Sequence, residues 1–513
     1  MDNQIIIPNL HIIVQAGGRG SRLRHHTWNK PKCLTSIRGK TILYQLFDRF
    51  PTAQFHVIGD YAYDMLEKYF QINPPGNNIN YTLYKTDDHG TLAGIRSIVT
   101  KLNPLDEILL VWSDIILGED PNWNKSTLPA VYVTSSFVCR YSVTDDKKMK
   151  EIFHPTSGVM GMYHFPNASF LLDIPASGDF TDDWFVPNIT NFVTIECNNA
   201  QEIGDDTSVE IENDRAGFGR FYNKIIINDT TVEKQACDPN YENLIENEKN
   251  WYKQVTQLGF AHIPKVISTT PLVLERINGR HAHEMLDLTD RQRHTLLYNH
   301  LSMLISLHTL GNIPSVPQEV ADVYITKTKN RVESVSKIIP YFNEEIITIN
   351  GKKCRNIFSE RYKDLFDVIL KETMPTYFTP IHGDPTFSNT LVDDNLNPWF
   401  IDPRGYFSKL GVWGDPNYDF AKVYLSVGGS FDLFNRRKFK LHFNDIAADI
   451  LLAPSGFDDT IFQEFFGKEF TKIKIIHSLV WLSLGGSTKD DIDSIVASFY
   501  LGLYHLEEGL KNL

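Results

Sequence analysis

"LHIIVQAGGRGSRLRHHTWNKPK" (residues 10–32) runs from an apolar strand straight into a glycine-rich turn and then into bases. The apolar stretch 10–16 ends at Gly17, Gly18 and Gly20. Without Cβ atoms, these residues let backbone N–H groups come close to phosphate oxygens. Arg22 and Lys32 bring the charge needed to neutralise a triphosphate and a pyrophosphate leaving group. The stretch lacks GxxxxGK[ST] and the dinucleotide GxGxxG fingerprint, so neither of those phosphate loops is expected. By themselves the glycines would equally suit an ordinary βα turn with incidental surface bases.

Outward from this stretch, strand-like and helix-like patterns alternate. Strands are expected at 53–60, 80–86, 107–114 and 129–136, and helices at 41–50 and 63–70. That alternation predicts an α/β domain with a mixed, mostly parallel sheet. Ligands of such sheets bind beyond the carboxyl ends of strands. Both the glycine turn and Asp114 stand at such ends. The pattern changes near 205–220. Residues 221–236 read as a hairpin, followed by a helix, a further strand at 269–279, a mainly helical stretch from 284 to about 375, and helix again from about 440 to the end. A small β-rich lobe before a large helical lobe is a bilobal, kinase-like α+β layout. The expected domains are 1–212 and 213–513, the latter with a small lobe at about 213–280 and a helical lobe at about 281–513.

The bulk properties narrow the function classes. The 513 residues, 42% hydrophobic and 12% aromatic, are enough for more than one packed core. A net charge of −13 disfavours nonspecific binding to nucleic acid or anionic membrane. Five scattered cysteines without a CxxC predict neither a disulfide framework nor a zinc site. The start lacks a signal-peptide pattern and the apolar runs are too short to cross a bilayer. A cytoplasmic protein without membrane insertion is expected.

The whole string Gln15-Ala16-Gly17-Gly18-Arg19-Gly20-Ser21-Arg22, with Thr27 and Pro31-Lys32, resembles (A/Q)AGxGxRxxxxTxxxPK. This is the signature of GT-A-like nucleotidyltransferases that make sugar-nucleotides or CDP-alcohols. The resemblance implies that Lys32 and Arg22 are catalytic and that 15–20 bind nucleotide. It implies that Gly90 and Thr91 in "HGTLAGIRSI" read the base. Asp114, in "VWSDIIL" where Ser113 replaces the usual glycine, would be a magnesium ligand. "SGVMGMYHF" (157–165) would support the acceptor. A second metal carboxylate is expected in "EIGDDTSVE", at Glu202, with Asp205 as the fallback.

Farther along, "IHGDPTFSNTLV" (381–392) and "WFIDPRG" (399–405) place His382, Asp384, Asn389 and Asp402 close together. The arrangement resembles the HxDxxxxN loop and following I-D strand end of the aminoglycoside phosphotransferase and choline kinase superfamily. That resemblance implies Asp384 as catalytic base, Asn389 and Asp402 as magnesium ligands, and His382 as the loop's organiser. Lys234 would bind ATP phosphates. Glu248 would be its partner, with Glu242 and Glu246 as substitutes. "GFGRFYNK" (217–224) would cover the nucleotide, and the strand carrying Glu275 would meet adenine. Asp415 and Asp419 would cap and brace. Arg404 and Trp413 are candidate substrate contacts. Tyr406, Phe407, Trp413 and Tyr418 are candidates for an aromatic cage around a quaternary ammonium.

Together the resemblances imply a bifunctional activating enzyme serving surface polysaccharide or glycoconjugate synthesis. It would use Mg2+, ATP, an NTP (CTP or UTP favoured, GTP open) and a small-molecule acceptor, with a sugar favoured. Homo-oligomerisation is compatible with it. An amino-alcohol kinase joined to a cytidylyltransferase, and a non-catalytic nucleotide-binding regulator, stand as alternatives.

Overall fold

The computed structural model describes residues 4–7, 9–118, 122–153, 158–215, 223–237, 239–487 and 489–511. The chain divides into two compact units. The first is Met1–Arg215 with Lys489–Ile492, and the second is Ala216–Thr488 with Asp493–Leu513. All five cysteines are free thiols. Among the described residues no helix is long and apolar enough to cross a membrane.

Apart from short turns and two-residue strands, the first unit runs β1 (Leu10–Gln15), α1 (Ile42–Arg49), β2 (Gln54–Gly59), α2 (Tyr63–Ile72), β3 (Asn80–Lys85), α3 (Ile95–Val99), β4 (Glu107–Trp112), β5 (Ala130–Thr134), β6 (Gly158–Phe165), β7 (Val193–Glu196) and α4 (Asp206–Arg215). The boundary expected after residue 212 therefore falls inside α4. Strands β4, β1, β2 and β3 lie side by side in parallel, as the core of a nine-stranded mixed sheet. β6 adds to β4 antiparallel. Ile12, Ile13 and Val14 are wholly buried, as are Ile108, Leu109 and Leu110. A strand covered on both faces presents no polar side, which is why β1 and β4 read as continuous apolar runs. Helix α1 starts where the Thr41 hydroxyl accepts the Tyr44 N–H at 3.4 Å, and it buries Ile42, Leu43, Leu46 and Phe47. This is a Rossmann-like α/β unit.

Apart from two-residue strands and helices of seven residues or fewer, such as Lys327–Glu333, the second unit runs β8 (Asn223–Ile227), β9 (Thr231–Ala236), α5 (Glu242–Gln257), β10 (Val266–Thr269), β11 (Leu272–Glu275), α6 (Asp290–His308), β12 (Ile346–Ile349), β13 (Lys352–Arg355), α7 (Leu365–Thr373), β14 (Tyr377–Pro380), β15 (Thr390–Val392), β16 (Pro398–Phe400), α8 (Pro416–Val427), β17 (Phe439–Asn444), β18 (Ala447–Leu452), α9 (Phe470–Leu484) and α10 (Ile492–Leu510). Four antiparallel strands in the order β8-β9-β11-β10 form one sheet. α9 is buried along nearly its whole length.

Two stretches expected to be helical are not. β17 and β18 pair as a hairpin across 439–452, and β12 joins β18 in parallel. Phe439 and Leu441 are buried while Lys440 between them is exposed, and Ala448 and Ile450 alternate likewise. That is the period of a strand, and it outweighs apolar content. The β12–β13 hairpin similarly interrupts the helical stretch between 284 and 375.

Candidate active sites

In the first unit, the glycine turn follows β1. The Gln15 side chain does not stay open for a ligand. Its amide donates to the Thr91 and Ala93 carbonyls at 2.8 and 3.0 Å, tying β1 to the Gly90–Thr91 loop. Gly90 sits at φ 84°, and a Cβ there would lie 2.2 Å from the Gly178 carbonyl oxygen, so only glycine fits. The Thr91 hydroxyl accepts from the Phe180 N–H at 2.7 Å. Ala16 is buried, donating its N–H to the Ile58 carbonyl at 2.9 Å. The Arg19 guanidinium lies 5.5 Å from the centre of the Tyr61 ring. Thr27 donates its hydroxyl to the Gly20 carbonyl at 3.0 Å and so closes the turn after Gly18.

Lys32 is nearly buried, and its ammonium stands 2.6 Å from an Asp114 carboxylate oxygen. The two residues are far apart in sequence, and so is the third member, Glu202. Residues 115–116 pair antiparallel with 201–202, Glu202 opposite Ile115, and Ile203 donates its N–H to the Asp114 carbonyl at 2.9 Å. This ribbon sets Glu202 beside Asp114. Burial and then the Asp114 charge push the Glu202 carboxyl up. Arg22, largely exposed, reaches Glu202 at 3.9 Å. Asp205 does something else: its carboxylate accepts the Ser208 N–H at 2.8 Å at the start of α4, as a helix cap does.

In the second unit, β9 carries Lys234 inward, where it is 4% exposed. Its ammonium is 2.6 Å from the Glu248 carboxylate on α5 and also pairs with Asp402. Burial pulls the ammonium down, but Asp402 and Glu248 outweigh it and hold it above its ordinary range. Glu246 pairs instead with Lys249 at 2.6 Å, and Glu242 lies exposed in the first turn of α5. Glu275 ends β11, its backbone N–H donating to the Lys265 carbonyl at 2.9 Å. Of "GFGRFYNK", residues 217–222 lie outside the described residues.

The loop after β14 holds the rest. Asn389 donates to the Asp384 carboxylate at 2.8 Å and again to its carbonyl at 2.8 Å. The other Asp384 oxygen meets the Lys422 ammonium at 2.9 Å. His382 is fully buried, and burial keeps its imidazole below the ordinary range, hence neutral. Its Nδ1 accepts the Asp384 N–H at 3.2 Å, which leaves Nε2–H to donate to the Ile401 carbonyl at 3.1 Å. Asp419 on α8 accepts from His382 N–H at 2.8 Å, Gly383 N–H at 2.7 Å and His308 at 3.0 Å. Asp415 caps α8 through the Asn417 N–H at 2.9 Å and accepts the Tyr324 hydroxyl at 2.7 Å. Gly383 has φ 84°, and its Cβ would lie 3.0 Å from Arg404 Cβ. Asp402 itself holds a positive φ of 55°, a strained backbone of the kind that clusters at functional positions.

Of the aromatic residues near this loop, Tyr406 has the Arg404 guanidinium 4.4 Å from its ring centre. Phe407 and Tyr418 are buried and pack edge-to-face at 5.5 Å. Trp413 is half-buried and pairs with Pro380 in a short strand contact. Sequence reasoning missed Lys422, Lys327, Arg331 and Tyr324. Lys422 had a usable signal, standing four residues after Tyr418 and so on the same face of α8.

The donor sets fit magnesium. Asp114 and Glu202 in the first unit, and Asn389 and Asp402 in the second, are hard oxygen donors. Magnesium is ordinarily held by one or two carboxylates plus phosphate oxygens. Among the described residues no group of three or more His, Cys, Asp or Glu is placed to hold a metal ion. In both units a lysine ammonium already rests on a carboxylate of the set.

No protein-family model matches the chain, and no curated protein matches it. Solved structures resemble its N-terminal part. HddC from Yersinia pseudotuberculosis is 17% identical, with a TM-score of 0.33, covering 40% of this chain and 98% of its own. A putative glucose-1-phosphate thymidylyltransferase from Bacillus anthracis is 16% identical, with a TM-score of 0.32, covering 41% and 98%. The CTP:phosphocholine cytidylyltransferase LicC from Streptococcus pneumoniae is 18% identical, with a TM-score of 0.30, covering 39% and 95%. Likeness at this level carries nothing about the activity of this chain.

Proposed function

We propose that the chain is a bifunctional activating enzyme. The second unit phosphorylates a hydroxyl of a small metabolite with ATP. The first unit joins that phosphate to a nucleoside monophosphate from an NTP and releases pyrophosphate. One observation carries the reading: each unit separately sets a nearly buried lysine on a carboxylate of an all-oxygen donor set.

In the second unit, Asp384 accepts the proton of the attacking hydroxyl as the bond from the γ-phosphorus to ADP breaks and the bond to the acceptor oxygen forms. Asn389 and Lys422 orient the two Asp384 oxygens. Glu248 pairs with Lys234, which would meet the ATP phosphates. Asn389 and Asp402 would hold magnesium, which when bound neutralises phosphate charge. In the first unit an acceptor phosphate oxygen is the nucleophile, so no protein nucleophile or base is required. Lys32 and Arg22 stabilise the charge that builds on the α-phosphate and pyrophosphate, while Asp114 and Glu202 would hold the metal.

The test is a matrix of the four NTPs against hydroxylated acceptors, with ATP and magnesium, read by mass. The expected product is an NDP-linked acceptor whose formation requires both ATP and a second NTP. ATP turnover that never transfers phosphate to any acceptor, together with no pyrophosphate from supplied sugar phosphates or phosphocholine, would sink the reading.

A further inference from the structure

Beside Asp384 lies a concentration of positive charge that the transfer of phosphate from ATP does not account for. Arg404 donates to the Tyr418 hydroxyl at 2.9 Å. The ammonium groups of Lys327 and Lys422 lie 5.7 and 5.8 Å from the centre of the same ring. Arg331 stands one helical turn after Lys327, donating to the Ser483 carbonyl at 3.3 Å. Lys422 has Asp384 as its partner. Among the described residues, Lys327, Arg331 and Arg404 form no salt bridge with any carboxylate.

The crowding shows in the titration of the group at its centre. Burial pushes the Tyr418 phenol up, but Lys327, Lys422 and Arg404 outweigh it and bring it down to about 7. Burial takes the Lys327 ammonium down to about 7 and lowers the Arg331 guanidinium, with Tyr418 opposing and neighbouring cations adding to it. Burial of the Arg404 guanidinium is instead outweighed by Tyr418, Tyr406 and Asp384, which hold it up. Four cations share the single Asp384 carboxylate, which Lys422 already engages, so they repel one another, and a bound anion relieves that repulsion. The same field opposes a cationic ligand. Arginine also offers the planar fork that receives carboxylate or phosphate.

We infer that the metabolite phosphorylated by this unit carries a carboxylate or a phosphate besides its reacting hydroxyl, and that Arg404, Lys327 and Arg331 hold that anion while Asp384 faces the hydroxyl. The inference rests on the kinase reading of the unit. It assigns the acceptor to the hydroxy acids or phosphorylated polyols and excludes choline and other quaternary or primary amines.

Two measurements test it. The first is ATP-dependent phosphorylation of matched acceptors: glucose against gluconate and glucose 6-phosphate, glycerol against glycerate and glycerol 3-phosphate, with choline and ethanolamine alongside. At least one anionic member is expected to exceed its neutral partner by about tenfold or more in kcat/KM. The carboxylate and phosphate arms tell which anion is held. Choline, ethanolamine or a neutral polyol matching every anionic acceptor overturns the inference. The second is calorimetric binding of gluconate and glycerol 3-phosphate in the absence of nucleotide. Binding of one of them is expected, weakened about tenfold or more by R404Q and by K327Q and restored in part by R404K. Thermal unfolding verifies that each variant is folded, and R331Q serves if either fails to fold. No anion binding to the wild type, or losses that fall on ATP rather than on the anion, overturns it. Anion binding that depends on Arg404 without phosphorylation of any acceptor leaves the anion site standing and removes the kinase reading instead.

Discussion

Glu202 and Asp205 show how little separates a proposed metal ligand from a helix cap in sequence. Both are acids in one short segment, but only Glu202 is set beside Asp114 by strand pairing, while Asp205 accepts the Ser208 N–H. Glu202→Ala is therefore expected to lower nucleotidyl transfer by orders of magnitude with little change in stability. Asp205→Ala is expected to leave transfer near normal and cost about 1 kcal/mol, the usual worth of an N-cap. Pyrophosphate release and urea unfolding of the two variants check this, and a reversed pattern would exchange their roles. At the second site the corresponding residue is Asp402, whose positive φ and pairing with Lys234 mark it as held in place by its surroundings. Asp402→Ala should abolish phosphorylation even at saturating ATP, as measured by ADP formation.

At the scale of elements, α8 organises the second site from behind. Asp419 accepts two consecutive backbone N–H groups of the loop, from His382 and Gly383, plus His308. Asp415 fixes the start of the same helix. Lys422, one turn after Tyr418, meets Asp384, and its ammonium lies 5.8 Å from the centre of the Tyr418 ring. Asp419→Ala would leave three buried donors without an acceptor, a loss of several kcal/mol at about 1–3 kcal/mol each. The expected result is a lower unfolding midpoint and phosphorylation reduced by more than Asp205→Ala reduces transfer, measured by thermal unfolding and ADP release. Full phosphorylation in a folded Asp419→Ala variant would show that the loop holds its shape unaided.

For the whole molecule, the two reactions should separate. Asp384→Asn is expected to abolish phosphorylation while transfer from a supplied phosphorylated acceptor continues, and Lys32→Ala to do the opposite. Loss of both activities in a folded single variant would contradict two self-contained sites. The second unit should also be acid-sensitive. Burial lowers His300 to about 3 and His283 and His505 to about 4, and it takes His477 well below its ordinary value of 6.5. Unfolded, these four histidines bind protons near 6.5 while the folded chain does not, so their stabilisation is full above 6.5 and falls away as the pH drops toward 4. Asp415 and Asp432, raised by burial to about 6, act in the opposite sense because the folded state takes up their protons first. His382, also lowered by burial, adds to these four, and with the histidines set against two carboxyls near pH 5 the unfolded state binds more protons, so stability should fall on acidification. Unfolding midpoints from pH 7 to pH 4.5 that stay level or rise would contradict this balance.

Much of this molecule was legible along the chain because its information is local. The apolar runs of β1 and β4, the glycine turn and the tight spacing of His382, Asp384 and Asn389 are each contained within one strand–loop segment, where period, backbone freedom and residue type suffice. The 439–452 hairpin was legible too, from its period of two, had period been weighed above apolar content. What only the tertiary structure decided involves residues far apart in sequence. A strand ribbon, not a spacing, sets Glu202 beside Asp114 and leaves Asp205 at the start of α4, and the turn of Gln15 onto the Thr91 and Ala93 carbonyls had no local sign. The sequence analysis singled out neither Lys327 nor Arg331, and it is packing that sets the Lys327 ammonium 5.7 Å from the centre of the Tyr418 ring. Charge acts through space, so the sign of a pocket belongs to the fold that gathers it.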